Sequence, residues 1–247
     1  MELKEYKYIK IQLKRNVAVI HFNRPEKKNA LSLAMRTEII EALNTLKLEK
    51  RVRSVIFYGG EEFFSAGFDR DEVQAVVEGK SDYQEFVESN HLFHETILNY
   101  PKLLIAAING FALAGAFDLA IICHIRVCSK NALFGHPEIR FGACPLFFPY
   151  MELVGRGKAI EIALNTSSKE NFLSAEEAYR LNLVNKIVET VDVLNESIKM
   201  AMEINKNPDF AVSQLLNVNK IFFNRVEAFD LEIDTIVKSM KKILDKK

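Results

Sequence analysis

The segment that most constrains the fold of this chain runs from residue 103 to residue 138 and reads LLIAAINGFALAGAFDLAIICHIRVCSKNALFGHPE. An apolar run, a turn of small residues and a second apolar run follow one another, interrupted by the acids Asp118 and Glu138. Burying an unpaired acid in such surroundings is costly, so a buried acid is usually neutral, hydrogen-bonded or catalytic. We expect general acid/base chemistry here, beside backbone N–H groups that the turn at Gly115 exposes.

Residues 103–123 approach the length of a membrane span, which needs about 20 predominantly apolar residues. Asn109, Gly110 and Asp118 break the run, however, and neither basic flanks nor aromatic belts bracket it. A buried parallel strand followed by a buried helix explains the same residues better. We therefore expect no membrane partner.

Composition narrows the class of protein. The 247 residues, 49% of them hydrophobic, suit one domain, or a core domain with an appendage. The 33 basic and 33 acidic residues cancel, which argues against nucleic acid as the main partner because phosphate binding needs a basic surplus. A net charge of zero also favours self-association.

The cysteines and histidines give no sign of a metal site or a disulfide framework. The three cysteines form no pair with ligand spacing, and their odd number indicates a reducing, cytoplasmic setting. The N-terminal residues alternate charged and apolar side chains, unlike a signal peptide. His91 and His94 would share a helix face but lack a third ligand, so we predict no metal and no cofactor.

Strand and helix signals alternate up to about residue 190. Residues 6–22 predict a β-hairpin, and Ser32 is placed to N-cap an amphipathic helix. Further strands are predicted at 54–58, 103–108, 125–128 and 184–188, with a strand or turn at 63–68. Further helices are predicted at 82–98, 117–123, 146–154 and 158–164, and from a capping box at Ser174.

After residue 192 only amphipathic helical patterns remain, including apolar residues between 231 and 240. This predicts an α/β fold with a core at 1–191 that carries the active site. Residues 192–247 would form a helical C-terminal region that drives oligomerisation.

Five motifs, in order, resemble one family. They are NRPEKKNALS (23–32), FFSAGFDRDEV (63–73), AAINGFALAGAFDLAIICHIRV (106–127), NALFGHPEIRFGACP (131–145) and LSAEEAYRLNLVNKIV (173–188). Residues 8–190 thereby resemble the crotonase, or enoyl-CoA hydratase/isomerase, superfamily. The resemblance implies a crotonase-like ββα spiral core with a helical trimerisation region, and a homotrimer or dimer of trimers.

The resemblance also implies an acyl-CoA thioester as substrate, with coenzyme A as part of that substrate. Its carbonyl oxygen would lie between the backbone N–H groups of Phe68 and Gly115, an oxyanion hole in which one donor is worth about 2.7–4 kcal/mol. Gly67 and Gly115 would let the backbone approach the ligand closely. Without the resemblance, the same small residues would indicate only tight packing.

In hydratases of this family two glutamates hold the water that is added. Glu138 matches the second position, and Asp118 falls at the first, where it is one methylene shorter. A displacement of about 1 Å can cost ~10²-fold in rate. The alternatives are a surface acid in a turn for Glu138, and for Asp118 a backbone cap or a partner of Arg126 or Arg140.

Contacts to coenzyme A or substrate are implied for five residues: Lys28, Ala30, Ala66, Asp69 and Arg70. Lys27 and Lys28 could also be an ordinary solvated pair. Bulky residues at 145–149 replace glycines usual in the family, which predicts a narrowed or reshaped acyl pocket. Cys144 is expected to be a small buried side chain, and His136 a packed or solvated histidine that could instead tune Glu138.

The leading hypothesis is an enoyl-CoA hydratase that adds water to a 2-enoyl-CoA through a stabilised enolate. The first alternative is a Δ3,Δ2-enoyl-CoA isomerase with Glu138 as its single base. A third, of another class, is a non-catalytic homologue that serves as a scaffold or binding subunit.

Overall fold

The computed structural model describes residues 4–223, and these form two sheets surrounded by helices. The strands are β1 (Ile9–Lys14), β2 (Val17–Phe22), β3 (Ser54–Tyr58), β4 (Leu103–Ile108), β5 (Phe111–Leu113), β6 (Ile125–Ser129), β7 (Leu133–Gly135), β8 (Leu173–Ser174) and β9 (Lys186–Val188). The helices are α1 (Leu33–Leu48), α2 (Arg70–Val77), α3 (Tyr83–Leu98), α4 (Gly115–Ile122), α5 (Phe148–Val154), α6 (Arg156–Asn165), α7 (Ala175–Arg180), α8 (Val193–Ile204) and α9 (Asp209–Phe223).

The larger sheet has the strand order β1-β2-β3-β4-β6-β9. Only the β1–β2 hairpin is antiparallel, as its sequence predicts; the remaining neighbours are parallel. All six residues of β4 are buried, because helices cover both faces of a parallel sheet. The smaller sheet has the order β5-β7-β8 and lies next to the candidate site.

Helix α1 illustrates how the sequence specifies these elements. The Ser32 hydroxyl accepts a hydrogen bond from the N–H of Met35 at 3.3 Å, which confirms the predicted N-cap. Met35, Ile39 and Leu43 recur at helical spacing and are fully buried against the sheet. This packing sets the position of the loop before α1, which forms part of the site.

Helix α8 covers the other face of the large sheet. Val193 and Ala201 pack there against sheet residues such as Val19 and Ile105. The Asn205 side chain, just after α8, donates to Ser54 Oγ at 2.9 Å. The beginning of the predicted C-terminal region is therefore packed on the sheet of its own chain. The apolar pattern at 231–240 lies outside the described residues.

Several predicted boundaries were wrong. Helix α4 begins at Gly115 rather than 117, because Ala114 takes a positive φ of 52° and turns the chain directly into the helix. Helix α5 begins at Phe148 rather than 146, and Arg156 with Gly157 belongs to α6.

The 63–68 segment forms only isolated bridges, at Ser65 and Phe68, instead of a regular strand. The last strand, β9, begins two residues later than predicted, at Lys186. Within residues 4–223, no helix is both long and apolar enough to cross a bilayer.

Candidate active site

A cavity of about 370 Å³ lies between α2, α3, the beginning of α4 and the 3-10 helix Pro137–Phe141. Four residues expected at the active site line it together: Phe68, Gly115, Asp118 and Glu138. The cavity therefore joins residues that are up to 70 positions apart in the sequence.

The turn at Gly67 is fixed by hydrogen bonds to the loop before α1. The Ser65 hydroxyl donates to the carbonyl of Asn29 at 2.7 Å and accepts from the N–H of Gly67 at 3.1 Å. The N–H of Leu31 donates to the Gly67 carbonyl at 2.8 Å. These bonds preorganise the backbone that leads into Phe68.

Two backbone N–H groups at the cavity are available to a ligand. Within residues 4–223, neither the N–H of Phe68 nor that of Gly115 has a hydrogen-bond partner. Gly67 has a φ of +93°, and a Cβ there would lie 2.6 Å from the carbonyl oxygen of Leu113. At Gly115 a Cβ would come within 2.4 Å of the Phe68 ring. Glycine is therefore required at the Gly67 turn, whereas a side chain at Gly115 would have to displace the Phe68 ring.

Asp118 lies in α4 and is almost completely buried. The Tyr150 hydroxyl donates to its Oδ1 at 3.0 Å, and the N–H of Leu146 also donates to the carboxylate. Burial raises the pKa of Asp118 to about 7, with Glu138 adding to the rise. The predicted backbone partner is thus found, on Leu146.

The predicted arginine partners of Asp118 are wrong. Arg126 instead donates to the carbonyls of Leu183 at 2.7 Å and Cys123 at 2.5 Å. Arg140 donates to the hydroxyl of Ser167 at 3.3 Å.

Glu138 lies in the 3-10 helix immediately after Pro137. Its Oε1 is 3.0 Å from Nδ1 of His136, whereas its Oε2 has no hydrogen-bond partner among the described residues. The side chain is 18% exposed. Because its side chain lines the cavity and is bonded to the buried His136, Glu138 is not the surface acid of the alternative interpretation.

His136 connects the surroundings of the two acids. The ring is fully buried, stacks on Phe117 at 5.0 Å between centroids and meets Tyr150 edge-on at 5.0 Å. Burial lowers the pKa of His136, but the facing Glu138 and Asp118 carboxylates outweigh it and raise that pKa. The histidine is therefore packed, and it also contacts the acid.

The opposite wall of the cavity is apolar. Its side chains from α2 and α3 include Val73, Val77, Phe86 and Val87. Behind this wall the buried Arg36 guanidinium lies 5.2 Å from the centroid of the Phe68 ring. This wall has the character needed to hold a hydrocarbon chain.

Of the five residues expected to contact coenzyme A, two line the cavity and three do not. Ala66 and Arg70 line the cavity, and Arg70 lies 5.3 Å over the ring of Phe141. The buried carboxylate of Asp69 is bonded to Arg24 and to the N–H of Asp71, so it caps α2.

Lys28 is exposed and Ala30 is buried, both on the loop that the Gly67 turn packs against. Lys27 forms an ion pair with Asp71 at 2.7 Å. The prediction of a buried Cys144 was wrong, because this side chain is partly exposed and lines the cavity. Bulk from the 145–149 segment does reach the cavity, through Leu146.

Two features of the site were not predicted from the sequence. One is the Tyr150 hydroxyl on Asp118, which joins residues 32 positions apart. The other is the α2 contribution to the apolar wall, for which the spacing of Val73 and Val77 is a helical signal. No group of three or more metal-ligating side chains lies close together within residues 4–223.

Comparison with known proteins places this geometry in a family. Residues 12–242 match the family model described as enoyl-CoA hydratase/isomerase. The chain is 34% identical over 225 residues to a short-chain-enoyl-CoA hydratase of Clostridium acetobutylicum, covering 89% of this chain and 81% of the relative. It is 33% identical over 211 residues to a crotonyl-CoA hydratase of Syntrophomonas wolfei, covering 84% and 79%.

Solved structures agree. An enoyl-CoA hydratase/isomerase of Xanthobacter autotrophicus superposes with a TM-score of 0.84 at 26% identity, covering 96% of this chain and 87% of the other. A chain from Acinetobacter baumannii shares the fold with a TM-score of 0.88 at 23% identity, covering 98% of each chain. The predicted α/β crotonase fold is confirmed. The chain belongs to the enoyl-CoA hydratase/isomerase family of enzymes.

Proposed function

We propose that this protein is an enoyl-CoA hydratase that adds water across the double bond of a 2-enoyl-CoA. The observation that carries the proposal is that Asp118, Glu138 and the unpartnered N–H groups of Phe68 and Gly115 meet at one cavity. Two acids and two backbone donors are what addition through an enolate requires. The hydratase names of similar relatives support the same reaction.

In this mechanism the thioester oxygen accepts hydrogen bonds from the N–H groups of Phe68 and Gly115. A water held by the two carboxyl groups bonds through its oxygen to the β-carbon and gives one proton to Asp118. The negative charge moves to the thioester oxygen, and Glu138 then delivers a proton to the α-carbon. A pKa of about 7 suits Asp118 to this exchange, because an acid/base group works best near the ambient pH.

The acyl chain is proposed to lie against the apolar wall formed by α2 and α3. Arg70, at the edge of the cavity, and the exposed Lys28 are proposed to face the phosphates of coenzyme A. We also propose a homotrimer or dimer of trimers in which residues 192–247 supply contacts between subunits, and a cytoplasmic location.

A second candidate is Δ3,Δ2-enoyl-CoA isomerisation, which one observation favours. Asp118 already accepts hydrogen bonds from Tyr150 and Leu146, which leaves it fewer acceptor positions for a water. Glu138, which lines the cavity and is held by His136, would then move a proton between the α- and γ-carbons alone. In an isomerase Asp118 would only be a buried, largely structural acid.

The test is to assay the purified protein with crotonyl-CoA and with a 3-enoyl-CoA side by side, as wild type and as Asp118→Asn. A hydratase hydrates crotonyl-CoA and loses about 10²-fold or more in the variant, because both acids hold the water. Isomerisation that survives the substitution would replace the proposal with the second candidate. Binding of acetoacetyl-CoA without turnover of either substrate would indicate the non-catalytic scaffold.

A further inference from the structure

We propose that His136 is a positioning residue for Glu138, holding its carboxylate through Oε1 and storing the proton that Glu138 exchanges. This inference rests on the proposed function, because it presumes that Glu138 transfers a proton at the α-carbon. It adds a residue and a proton path to that reaction.

The first support is that the ring has little freedom to move. The N–H of His136 donates to the carbonyl of Thr166 at 3.0 Å and approaches its hydroxyl at 3.1 Å. The imidazole stacks on Phe117 and contacts the edge of Tyr150, both of which are buried. Because its backbone and its ring are both held in place, His136 can in turn fix the carboxylate that is bonded to it.

The second support is the way in which the carboxylate of Glu138 is held. Nδ1 of His136 reaches Oε1 at 3.0 Å, and Pro137 between the two residues restricts the intervening backbone. Oε2 is buried without a partner among the described residues, so His136 is the one side chain of that part of the chain that holds this carboxylate. Fixing Oε1 therefore fixes the carboxylate of a side chain that lines the cavity.

The third support is charge. The titratable groups that face the imidazole are Glu138 from the 3-10 helix, Asp118 from α4 and Tyr150 from α5. The pKa of Tyr150 is raised well above its ordinary value, chiefly by burial, so its hydroxyl stays neutral. The two carboxyl groups thus favour an imidazolium, which in turn favours an ionised Glu138.

The proton step follows from this arrangement. The proton on Nδ1 moves to Oε1 of the ionised Glu138, which then delivers it to the α-carbon and is a carboxylate again. The N–H bond breaks, the O–H bond forms, and the electron pair stays on Nδ1. The imidazole is then neutral and regains a proton when Asp118 gives up the one that it took from the water, so the protons balance over one turnover. No further reactant is needed.

The test uses His136→Phe and His136→Gln in the full chain, with kcat, KM and the pH profile measured on crotonyl-CoA. Phenylalanine preserves the aromatic packing but removes the hydrogen bond, and we expect kcat to fall about 10²-fold with KM within about twofold. Glutamine restores a donor but cannot transfer a proton. We expect it to recover part of the loss but to lack the decline in kcat that we predict for wild type as pH rises through the His136 pKa.

A wild-type kcat and pH profile in both variants would overturn the inference, as would a rise in KM with kcat unchanged. Thermal melting confirms that each variant is folded. If His136→Phe fails to fold, the Gln variant and an NMR titration of the histidine decide the matter.

That titration is an independent readout, which separates this inference from the proposed function. The imidazole of His136 is titrated by NMR in wild type and in Glu138→Gln, with His21, His91, His94 and His124 as internal controls. We expect the pKa of His136 alone to fall in the variant. An unchanged pKa refutes the pairing even in an active enzyme, whereas a fall in an inactive protein supports the pairing and refutes the proposed reaction.

Discussion

Asp118 and Glu138 face the same cavity from walls of opposite character. All eight residues of α4, which carries Asp118, are buried, whereas the 3-10 helix Pro137–Phe141 has no buried residue. Asp118 accepts hydrogen bonds from two groups of the protein. Glu138 contacts one histidine and keeps an oxygen unpartnered among the described residues.

The difference shows how one cavity can give two identical functional groups different tasks. On the α4 wall, burial raises the pKa of Asp118 to about 7, and the surrounding donors restrict its carboxyl group. On the 3-10 wall, the Glu138 carboxylate has an ionic partner in His136, and the side chain lines the cavity. We therefore expect substitutions on the 3-10 wall to affect turnover and those on the α4 wall to affect stability as well.

The largest effect is expected from Glu138→Gln. It preserves the side-chain volume but removes the group that exchanges the proton, so turnover of crotonyl-CoA should fall at least about 10²-fold and up to about 10⁴-fold. Affinity for acetoacetyl-CoA, measured by calorimetry, should change little. Glu152→Gln on the exposed side of α5 is the matched control and should keep full activity. Equal activity of the two variants would remove Glu138 from the mechanism.

Gly115→Ala tests the rigidity of the α4 wall. The added Cβ would lie 2.4 Å from the Phe68 ring, and overpacking of this kind costs about 1–3 kcal/mol. We expect the free energy of unfolding in urea to fall by that amount, together with a loss of turnover as Phe68 shifts. Gly157→Ala is the control, because among the described residues no atom would lie within 4 Å of the added methyl group. If Gly115→Ala is as stable as the control, the wall is more adaptable than its packing indicates.

Tyr150→Phe separates the hydrogen bond of Asp118 from the burial of Asp118. Loss of the hydroxyl leaves Oδ1 without that donor, which should cost about 1–3 kcal/mol of unfolding free energy. Tyr100→Phe is the counterpart, since the Tyr100 hydroxyl is buried without a hydrogen-bond partner within residues 4–223. That variant should lose nothing measurable. Equal losses in the two variants would mean that Asp118 does not depend on Tyr150.

The fourth prediction concerns how stability depends on pH. The pKa of Asp118 is about 7 in the folded protein against an ordinary value of 3.8, so the folded state binds more protons between these values. The contribution of Asp118 to stability should therefore be complete below about pH 4 and decline as pH rises to 7. Asp118→Asn should abolish this decline. The melting temperature of the variant should therefore rise relative to that of wild type from about pH 5 to about pH 8.

For Asp69→Asn we expect the opposite dependence of stability on pH. Burial raises the pKa of Asp69, but Arg24 and the N-terminus of α2 outweigh it, so the pKa lies below 3.8. Its stabilising contribution should be present above that value and disappear as pH falls through the lowered pKa. If the melting temperatures of both variants change with pH in the same direction relative to wild type, burial does not raise the pKa of Asp118 as described.

Local signals in the sequence predict much of the fold. The Ser32 cap, the hairpin of β1 and β2 and the apolar β4 were all predicted because each depends on neighbouring residues. The beginning of α4 was misplaced because Ala114 takes a positive φ, a conformation that alanine rarely adopts.

The site was predictable in its members but not in its contacts. Asp118, Glu138 and the two turns come from motifs, whereas the Tyr150–Asp118 bond joins distant segments and exists only once α5 packs on α4. The sequence offered Arg126 as a partner for Asp118, yet the structure uses it to bind backbone carbonyls. Competition between partners of similar chemistry is decided by tertiary packing.

The unequal roles of the two acids are tested most directly by exchange of the α-proton of butyryl-CoA in D2O, followed by NMR. This saturated thioester has no double bond to hydrate, so only the oxyanion hole and the acid/base group at the α-carbon can act on it. We predict exchange in wild type, a rate within about tenfold of wild type in Asp118→Asn, and a loss of at least about 10²-fold in Glu138→Gln. Full exchange in Glu138→Gln, or equal losses in the two variants, would contradict the account.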